Sequence, residues 1–204
     1  MKNVNLQSIT QASKQLESET FQKFKKYLEI DLKDQELDDL SNFVTHLAEC
    51  KTPAPIYEHF YMGYTIPQIG KEFDLIRLDG KSVVNIELKS KSTDEKIQRQ
   101  LIRNKYYLSS LDRTALLYTF VSQTNTLYKL LDDNSVVKAD FNDLVEKLQR
   151  QNVDFSESLD NLFDPSIFLV SPFNSTQKFL DDQYFLTKQQ EEIKSCIDGC
   201  LKRT

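Results

Sequence analysis

The chain has few of the residues on which many catalytic and binding sites depend. Its 204 residues include no tryptophan, two histidines, three cysteines and four glycines. Two histidines argue against a histidine-rich metal site and against a histidine-based catalytic triad. Four glycines leave no glycine-rich loop that could cradle a nucleotide phosphate. The three cysteines do not form a zinc-binding pattern, and they favour simple thiols in a reducing compartment.

Long hydrophobic runs are also missing. No stretch reaches the roughly 18 apolar residues that a membrane-spanning helix needs, and the N-terminal segment has no apolar core of a signal peptide. We therefore expect no membrane segment and a cytoplasmic location. Thirteen Phe, nine Tyr and an apolar content of 39% are enough to build the core of one globular domain.

Acidic residues outnumber basic residues, which gives the chain a formal net charge of −5. That balance does not by itself favour a nucleic-acid partner, but the charge is unevenly spread. Residues 71–113 hold ten Lys or Arg and seven Asp or Glu, a net of +3, so the remainder carries −8. A positive segment suits a phosphate backbone, and a bound cation would make it more positive. The alternative is a charged surface without a partner.

The spacing of apolar residues predicts a mixed sheet flanked by helices, an α/β fold. Helical spacing covers residues 6–30, 35–49, 93–111, 140–151 and 182–201. Strand-like runs cover residues 56–66, 72–78, 82–89, 114–122 and 126–131. The helix between the third and fourth strands predicts that these two strands are parallel. Residues 152–178 favour a largely extended linker that packs through Phe163, Ile167, Phe168 and Phe173.

Residues 71–90, KEFDLIRLDGKSVVNIELKS, are the most informative segment. Asp79-Gly80 between two apolar runs is typical of a hairpin turn. Because side chains alternate along a strand, Asp74 lies on one face of the second strand, and Glu87 and Lys89 share a face of the third. Pairing the strands around the turn brings the three side chains close together.

These residues have the chemistry of a metal-dependent phosphodiesterase. Asp74 and Glu87 are hard oxygen ligands for Mg²⁺ or Mn²⁺, and the backbone carbonyl of Leu88 could add another. Lys89 could orient the attacking water, help to deprotonate it, or balance developing charge. Glu72, on the face of Asp74, could be a further ligand or base. The alternative is an amphipathic hairpin with a surface Glu–Lys pair, but acids on an apolar hairpin are costly unless a cation compensates them.

Residues 56–131 resemble the α-β-β-β-α-β core of the PD-(D/E)XK nuclease superfamily. The motif positions fall on Asp74, Glu87 and Lys89, and Phe73 stands in place of the proline in the motif's name. The next helix resembles that of the nuclease-related domain and of related exonuclease modules, in which a Gln reaches the active site. The best match for that Gln is Gln100 in QRQLIRNKYYL.

Other positions match the family less closely. Gln98 lies on a different helix face from Gln100, and Tyr106 or Tyr107 departs from the Gln-xxx-Tyr spacing of the exonucleases. Members often carry a Glu on the first helix near the metal, for which Glu49 and Glu58 are candidates. The resemblance implies a metal-dependent nuclease acting on DNA, with Asp74, Glu87, Lys89 and Gln100 as catalytic residues.

The C-terminal segment LTKQQEEIKSCI, residues 186–197, resembles the Gln motif that precedes the Walker A loop of superfamily 1 helicases. Thr187 and Gln190 match it, although an amphipathic terminal helix is the alternative. The resemblance implies a nuclease-like domain at 1–151 and, at 152–204, a linker and helix leading to the ATP-binding domain of a longer bacterial protein. A catalytically weak nucleic-acid-binding module of a larger ATPase and a protein-interaction domain are the competing hypotheses.

Overall fold

The computed structural model describes residues 2–51, 53–153, 159–169, 176–181 and 184–201. The chain divides into two compact units. The first combines Met1–Tyr64 with Phe73–Ser156, and the second combines Thr65–Glu72 with Glu157–Thr204. The predicted boundary between a domain at 1–151 and a segment at 152–204 stays a prediction.

In the described residues, three helices precede three strands, one helix joins these to three further strands, and the remaining helices follow. The helices are α1 (Leu6–Gln15), α2 (Ser18–Leu28), α3 (Asp34–Glu49), α4 (Asp94–Leu108), α5 (Phe141–Arg150), α6 (Leu159–Leu162), α7 (Thr176–Leu180) and α8 (Lys188–Leu201). The strands are β1 (Tyr61–Thr65), β2 (Glu72–Leu78), β3 (Ser82–Lys89), β4 (Thr114–Val121), β5 (Thr126–Leu130) and β6 (Val136–Ala139). Short 3-10 helices occupy Ala54–Tyr57, Ser109–Leu111, Ser122–Thr124 and Pro165–Ile167.

The six strands form one sheet in the order β1-β2-β3-β4-β5-β6. Strands β3 and β4 are parallel and are joined by α4, whereas β2–β3, β4–β5 and β5–β6 are antiparallel. This confirms the predicted α/β fold with a mixed sheet flanked by helices, including the parallel crossover. A crossover of this kind places the C-terminal ends of β3 and β4 at the same edge of the sheet.

The two faces of the sheet are covered differently. One face carries the apolar core, in which alternate residues of β3, namely Val84, Ile86 and Leu88, pack with residues of α1, α3 and α5. The other face lies against α4, which contacts β4, β5 and β6. Because side chains alternate, Asn85 and Glu87 of β3 point to the α4 side. These two polar side chains are therefore gathered on the face of the sheet that α4 covers.

Two predicted elements are shorter than their apolar spacing suggests. Residues 6–30 form α1 and α2 instead of one helix, because Leu16 is extended and partly exposed between them. A single helix of that length would extend roughly 37 Å, and the break lets α2 contact α1. The predicted strand at 56–66 begins as a 3-10 helix because Pro53 and Pro55 favour a helical turn, and only β1 is extended.

The C-terminal half differs in other details. Strand β6 was not predicted, since its four residues follow a polar turn and are only partly buried. Residues 152–178 are not wholly extended, because α6 and a 3-10 helix lie within them and α7 begins at Thr176. Phe163 and Phe168 are buried and Ile167 is exposed, whereas Phe173 lies outside the described residues.

Helix α8 begins at Lys188 instead of 182, and its start is capped by Thr187 and Gln190. The side-chain oxygen of Gln190 accepts from the N–H of Thr187 at 2.9 Å, and the N–H of Gln190 donates to Oγ1 of Thr187 at 3.3 Å. This reciprocal pair is a capping box, which gives the Thr-x-x-Gln pattern a structural role of its own. Within the described segments, none of the helices has the length and apolar character needed to cross a membrane.

Candidate functional site

The candidate site lies where β2 and β3 stop pairing. Their antiparallel ladder runs from Leu78 opposite Val83 to Leu75 opposite Ile86. Asp74 and Glu87 are the next residues beyond its end. There the Oδ2 atom of Asp74 accepts a hydrogen bond from the backbone N–H of Leu88 at 2.8 Å. A carboxylate thus takes the place of a strand-to-strand backbone bond and lies at the opening between the two strands.

The Lys89 ammonium lies between the two predicted carboxylates. Its Nζ is 3.2 Å from Oδ2 of Asp74 and 3.5 Å from Oε2 of Glu87. Burial alone would lower the pKa of Lys89, but the charges of Asp74 and Glu87 and their hydrogen bonds raise it above its usual value. The structure therefore brings together Asp74, Glu87 and Lys89, the three side chains that the hairpin pattern singled out.

Glu87 is the most deeply buried member of the group, with 1% of its side chain exposed. Three side-chain amides donate to it. Gln100 Nε2 bonds Oε2, Asn104 Nδ2 bonds Oε1 at 2.7 Å, and Asn85 Nδ2 reaches Oε1 at 3.4 Å. A buried carboxylate requires such donors, because its desolvation would otherwise cost several kcal/mol.

Gln100 and Asn104 lie one turn apart on α4, so both reach the same carboxylate. The structure places Gln100 at the site, whereas Gln98 turns away and donates to the backbone carbonyl of Asn134 at 2.8 Å. The predicted helix therefore presents the expected glutamine. The residue four positions after Gln100, where the Gln-xxx-Tyr spacing would place a tyrosine, is Asn104. Tyr106 and Tyr107 lie further along the helix.

Asn104 and Asn85 are functional candidates that the sequence reasoning missed. Both are fully buried, and Asn104 Nδ2 donates to Oδ1 of Asn85 at 2.7 Å as well as to Glu87. Asn85 in turn donates to the backbone carbonyl of Leu75 at 3.1 Å. A signal was present, since Asn104 interrupts the apolar stripe of Ile97, Leu101 and Leu108 on the buried side of α4.

The backbone of Leu88 also faces the opening between the strands. In an extended strand the N–H and C=O of one residue point to the same side. Because the N–H of Leu88 bonds Asp74, we expect its carbonyl oxygen to point toward the same gap. The role of this carbonyl as a metal ligand stays a prediction.

A further buried carboxylate, Asp39 of α3, lies beside the C-terminal ends of the parallel strands. Ser90, which follows Lys89, donates to its Oδ2 at 2.9 Å, and Ser122, which follows β4, donates to its Oδ1. Asp39 is 4% exposed. It joins α3 to the sheet edge that carries the site, and no motif in the sequence indicated it.

The other acidic candidates are more exposed. Glu49 has 64% of its side chain exposed and contacts His46, and Glu58 has 46% exposed and lies 3.9 Å from His59. Glu72 is also exposed. Each of these carboxylates is well solvated, in contrast to Glu87. None of the three is buried and bonded by neighbouring side-chain amides as Glu87 is.

The donor set at the opening fits a hard divalent cation. Within the described ranges, no three His, Cys, Asp or Glu side chains form a cluster that could hold a metal ion. The available ligands are instead two carboxylates and one carbonyl. Mg²⁺ is commonly held by one or two carboxylates and keeps several waters, so this set is sufficient for it. The Lys89 ammonium already lies near both carboxylates. The negative charge of Asp74 and Glu87 therefore favours a cation between them.

Comparisons of the chain with protein-family models, with curated proteins and with solved structures found no match. The resemblance to PD-(D/E)XK nucleases therefore rests on the residues themselves.

Proposed function

We propose that the chain is a divalent-metal-dependent nuclease that hydrolyses phosphodiester bonds, with DNA as its expected substrate. The proposal depends on one observation: Asp74, Glu87 and Lys89 meet where β2 and β3 separate, and Gln100 bonds Glu87. This arrangement is the one that the resemblance to PD-(D/E)XK nucleases predicts. Mg²⁺ or Mn²⁺ is the expected cofactor.

Asp74, Glu87 and the carbonyl of Leu88 would hold the cation. A divalent cation bound there would polarise the phosphate and lower the pKa of a coordinated water. The Lys89 ammonium lies next to both carboxylates, where it can donate a hydrogen bond to a phosphate oxygen and balance charge that develops there. Gln100 and Asn104 hold the Glu87 carboxylate in one orientation.

The three side chains of the site differ in how far they are exposed to solvent. Asp74 and Lys89 have 29% and 31% of their side chains exposed, whereas Glu87 has 1%. A phosphodiester would therefore approach from the side of Asp74 and Lys89, with Glu87 behind them. In hydrolysis a water oxygen bonds to phosphorus, the bond from phosphorus to the leaving oxygen breaks, and that oxygen takes up a proton.

A cleavage assay tests the proposal. Linear duplex, circular duplex and single-stranded DNA are incubated with the protein and either Mg²⁺, Mn²⁺ or EDTA. We expect metal-dependent cleavage by the wild type and a loss of at least about 100-fold in Asp74→Asn and Lys89→Ala. Gln98→Ala is the matched control, because it removes an amide from the same helix that does not reach the site. Absence of metal-dependent cleavage by the folded wild type would exclude the proposal.

One observation favours a second function, that of a nucleic-acid-binding module with weak catalysis. Glu87 already accepts three amide bonds and contacts an ammonium, so its oxygens are well satisfied without a metal. DNA binding that persists in EDTA, without cleavage in either metal, would favour this function. Absence of DNA binding at low salt would exclude both functions.

A further inference from the structure

The two flanks of helix α4 differ in what their polar side chains contact. On one flank, Gln98 donates to the backbone carbonyl of Asn134 at 2.8 Å, and Lys105 donates to Oδ1 of Asn134 at 2.8 Å. The turn between β5 and β6 therefore occupies that flank. The other flank carries Gln100, which bonds Glu87, and so it faces the candidate site.

Two exposed cations, Lys96 and Arg99, lie beside the flank that faces the site, and we call them the α4 cation pair. Lys96 precedes Gln100 by one turn and so lies on the same flank, and Arg99 is its neighbour on the solvent side. Gln100 Nε2 and Lys89 Nζ contact the same atom, Oε2 of Glu87. Because α4 begins at the sheet edge where β3 ends, Lys96 is closer to that edge than Gln100 is.

The charge of the α4 cation pair is not neutralised within the described part of the chain. Among those residues, the side chains of Lys96 and Arg99 form neither an ion pair nor a hydrogen bond. Glu95, one turn before Arg99, is turned to the start of the helix, where its own N–H and the Thr93 hydroxyl lower its pKa. The pair is therefore accessible to an anion from outside the chain.

The substrate proposed for the site is itself a chain of anions. A DNA duplex carries one negative charge about every 1.7 Å along its axis, so further phosphates lie close to the one that is cleaved. Contacts from Lys and Arg to such phosphates fix the position of a nucleic acid without reading its sequence. A strand whose cleaved phosphate lies at Asp74 and Lys89 therefore has neighbouring phosphates near the start of α4.

We propose that the α4 cation pair binds the nucleic-acid backbone next to the bond that is cleaved. Lys96 donates to one phosphate oxygen, and Arg99 can bond two oxygens of a phosphate because its N–H groups form a planar fork. These contacts hold the strand across the site and do not select a sequence. The proposal rests on the proposed function of the site, to which it adds the surface that holds the substrate.

The test measures how the affinity for duplex DNA depends on salt, by fluorescence anisotropy with the full chain carrying Asp74→Asn to prevent cleavage. Each phosphate contact contributes about 0.9 to the slope of log affinity against log salt. If Lys89, Lys96 and Arg99 each neutralise a phosphate, affinity should fall about 40-fold between 50 and 200 mM salt. Adding Lys96→Ala or Arg99→Ala should reduce that fall to about 12-fold, and adding both should reduce it to about 3-fold.

Lys14→Ala is the matched control, because Lys14 is an exposed lysine of α1, a helix on the other face of the sheet. It should leave the salt dependence as it is. A double variant with the salt dependence of its parent, or an equal effect of Lys14→Ala, would overturn the proposal even if the wild type cleaves DNA.

The opposite result separates the proposal from the proposed nuclease function. A salt dependence reduced by Lys96→Ala and Arg99→Ala, in a chain whose wild type cleaves no DNA, would support the contact surface and exclude the nuclease. The same substitutions in the otherwise wild-type chain, measured in EDTA, give the comparison if Asp74→Asn fails to fold.

Discussion

At the scale of single residues, the site is organised around the buried carboxylate of Glu87. Three amides donate to it and the Lys89 ammonium lies beside it. Removing one partner of a buried charge is more damaging than the mean value of a hydrogen bond suggests, because the charge stays buried. The residues around Glu87 should therefore affect stability as well as activity.

Asn104 is the clearest test of this dependence. Asn104→Leu removes the donor to Glu87 and Asn85, and it should lower the free energy of unfolding by about 2–4 kcal/mol. Asn104→Asp places a second carboxylate against Glu87 and should have a larger effect. Urea denaturation measures both changes. Gln98→Leu is the control and should change stability by less than about 1 kcal/mol, since that amide bonds a surface carbonyl. An Asn104→Leu variant as stable as the wild type would contradict this account of Glu87.

Asp79, in the hairpin turn, gives a prediction about pH. Burial alone would raise the pKa of Asp79, but backbone N–H groups of Lys81, Ser82 and Asn152 and the Ser82 hydroxyl lower it below its usual value. A carboxyl with a lowered pKa in the folded state stabilises the protein above its unfolded pKa of about 4. That stabilisation is lost as the pH falls through the folded-state pKa.

Asp79→Asn should therefore lower the free energy of unfolding by about 1–3 kcal/mol at pH 7, because it removes a charged acceptor of backbone N–H groups. The difference from the wild type should shrink as the pH falls below about 4. Urea denaturation at pH 7, 4 and 2 measures it, and Asp31→Asn, at an exposed position, should show no such pH dependence. A difference that stays constant from pH 7 to pH 2 would contradict the assigned role of the carboxylate.

At the scale of elements, the position of the site depends on where helices meet the sheet. Helix α4 follows β3 and returns to β4 in parallel, which brings Gln100 and Asn104 over Glu87. Helix α3 lies on the other face and is joined to the ends of β3 and β4 by Asp39. Lys89 is therefore located on a strand whose end is held in place by α3.

The contact of Asp39 can be broken without touching the site. Asp39→Ala leaves the hydroxyls of Ser90 and Ser122 without their acceptor, and we expect a loss of about 2–4 kcal/mol in the free energy of unfolding. Asp39→Asn should lose less, because its amide oxygen still accepts. The neighbour Asp38 is exposed, so Asp38→Ala is a matched control with an expected change within about 0.5 kcal/mol. Equal effects of the two alanine variants would contradict the proposed role of Asp39.

At the scale of the whole molecule, the uneven charge bears on how nucleic acid would be held. The chain carries −5 overall, but residues 71–113 carry +3 and include the site. Attraction of a phosphate backbone to a limited positive region releases counterions and depends on salt. The acidic remainder of the chain would oppose binding elsewhere on its surface.

Binding should therefore weaken with salt to a moderate extent. If about three phosphates are neutralised, affinity for duplex DNA should fall about 40-fold between 50 and 200 mM salt. Fluorescence anisotropy with Asp74→Asn measures this without cleavage of the DNA, and Lys89→Ala tests whether one contact comes from the site. An affinity that does not change with salt would contradict electrostatic binding through this region.

Local rules of the chain were sufficient for the elements that carry the predicted site residues. Three predicted features depend only on neighbours within a few residues, and all are present in the structure. They are the alternation of side chains along β2 and β3, the turn at Asp79-Gly80 and the apolar stripe of α4. The length of one helix and the existence of β6 were not predictable in this way. They depend on what covers each segment, and not on its own spacing.

The tertiary structure decided which polar residues accompany these elements. Asn104 and Glu87 are 17 positions apart, and Asp39 and Ser122 are 83 positions apart. No local pattern relates such residues, because their contacts arise only when helices pack on opposite faces of one sheet. Strand periodicity predicts that Asp74, Glu87 and Lys89 lie together. The amides that bond Glu87 and the Asp39 carboxylate beside Ser90 depend instead on how the helices pack on the sheet.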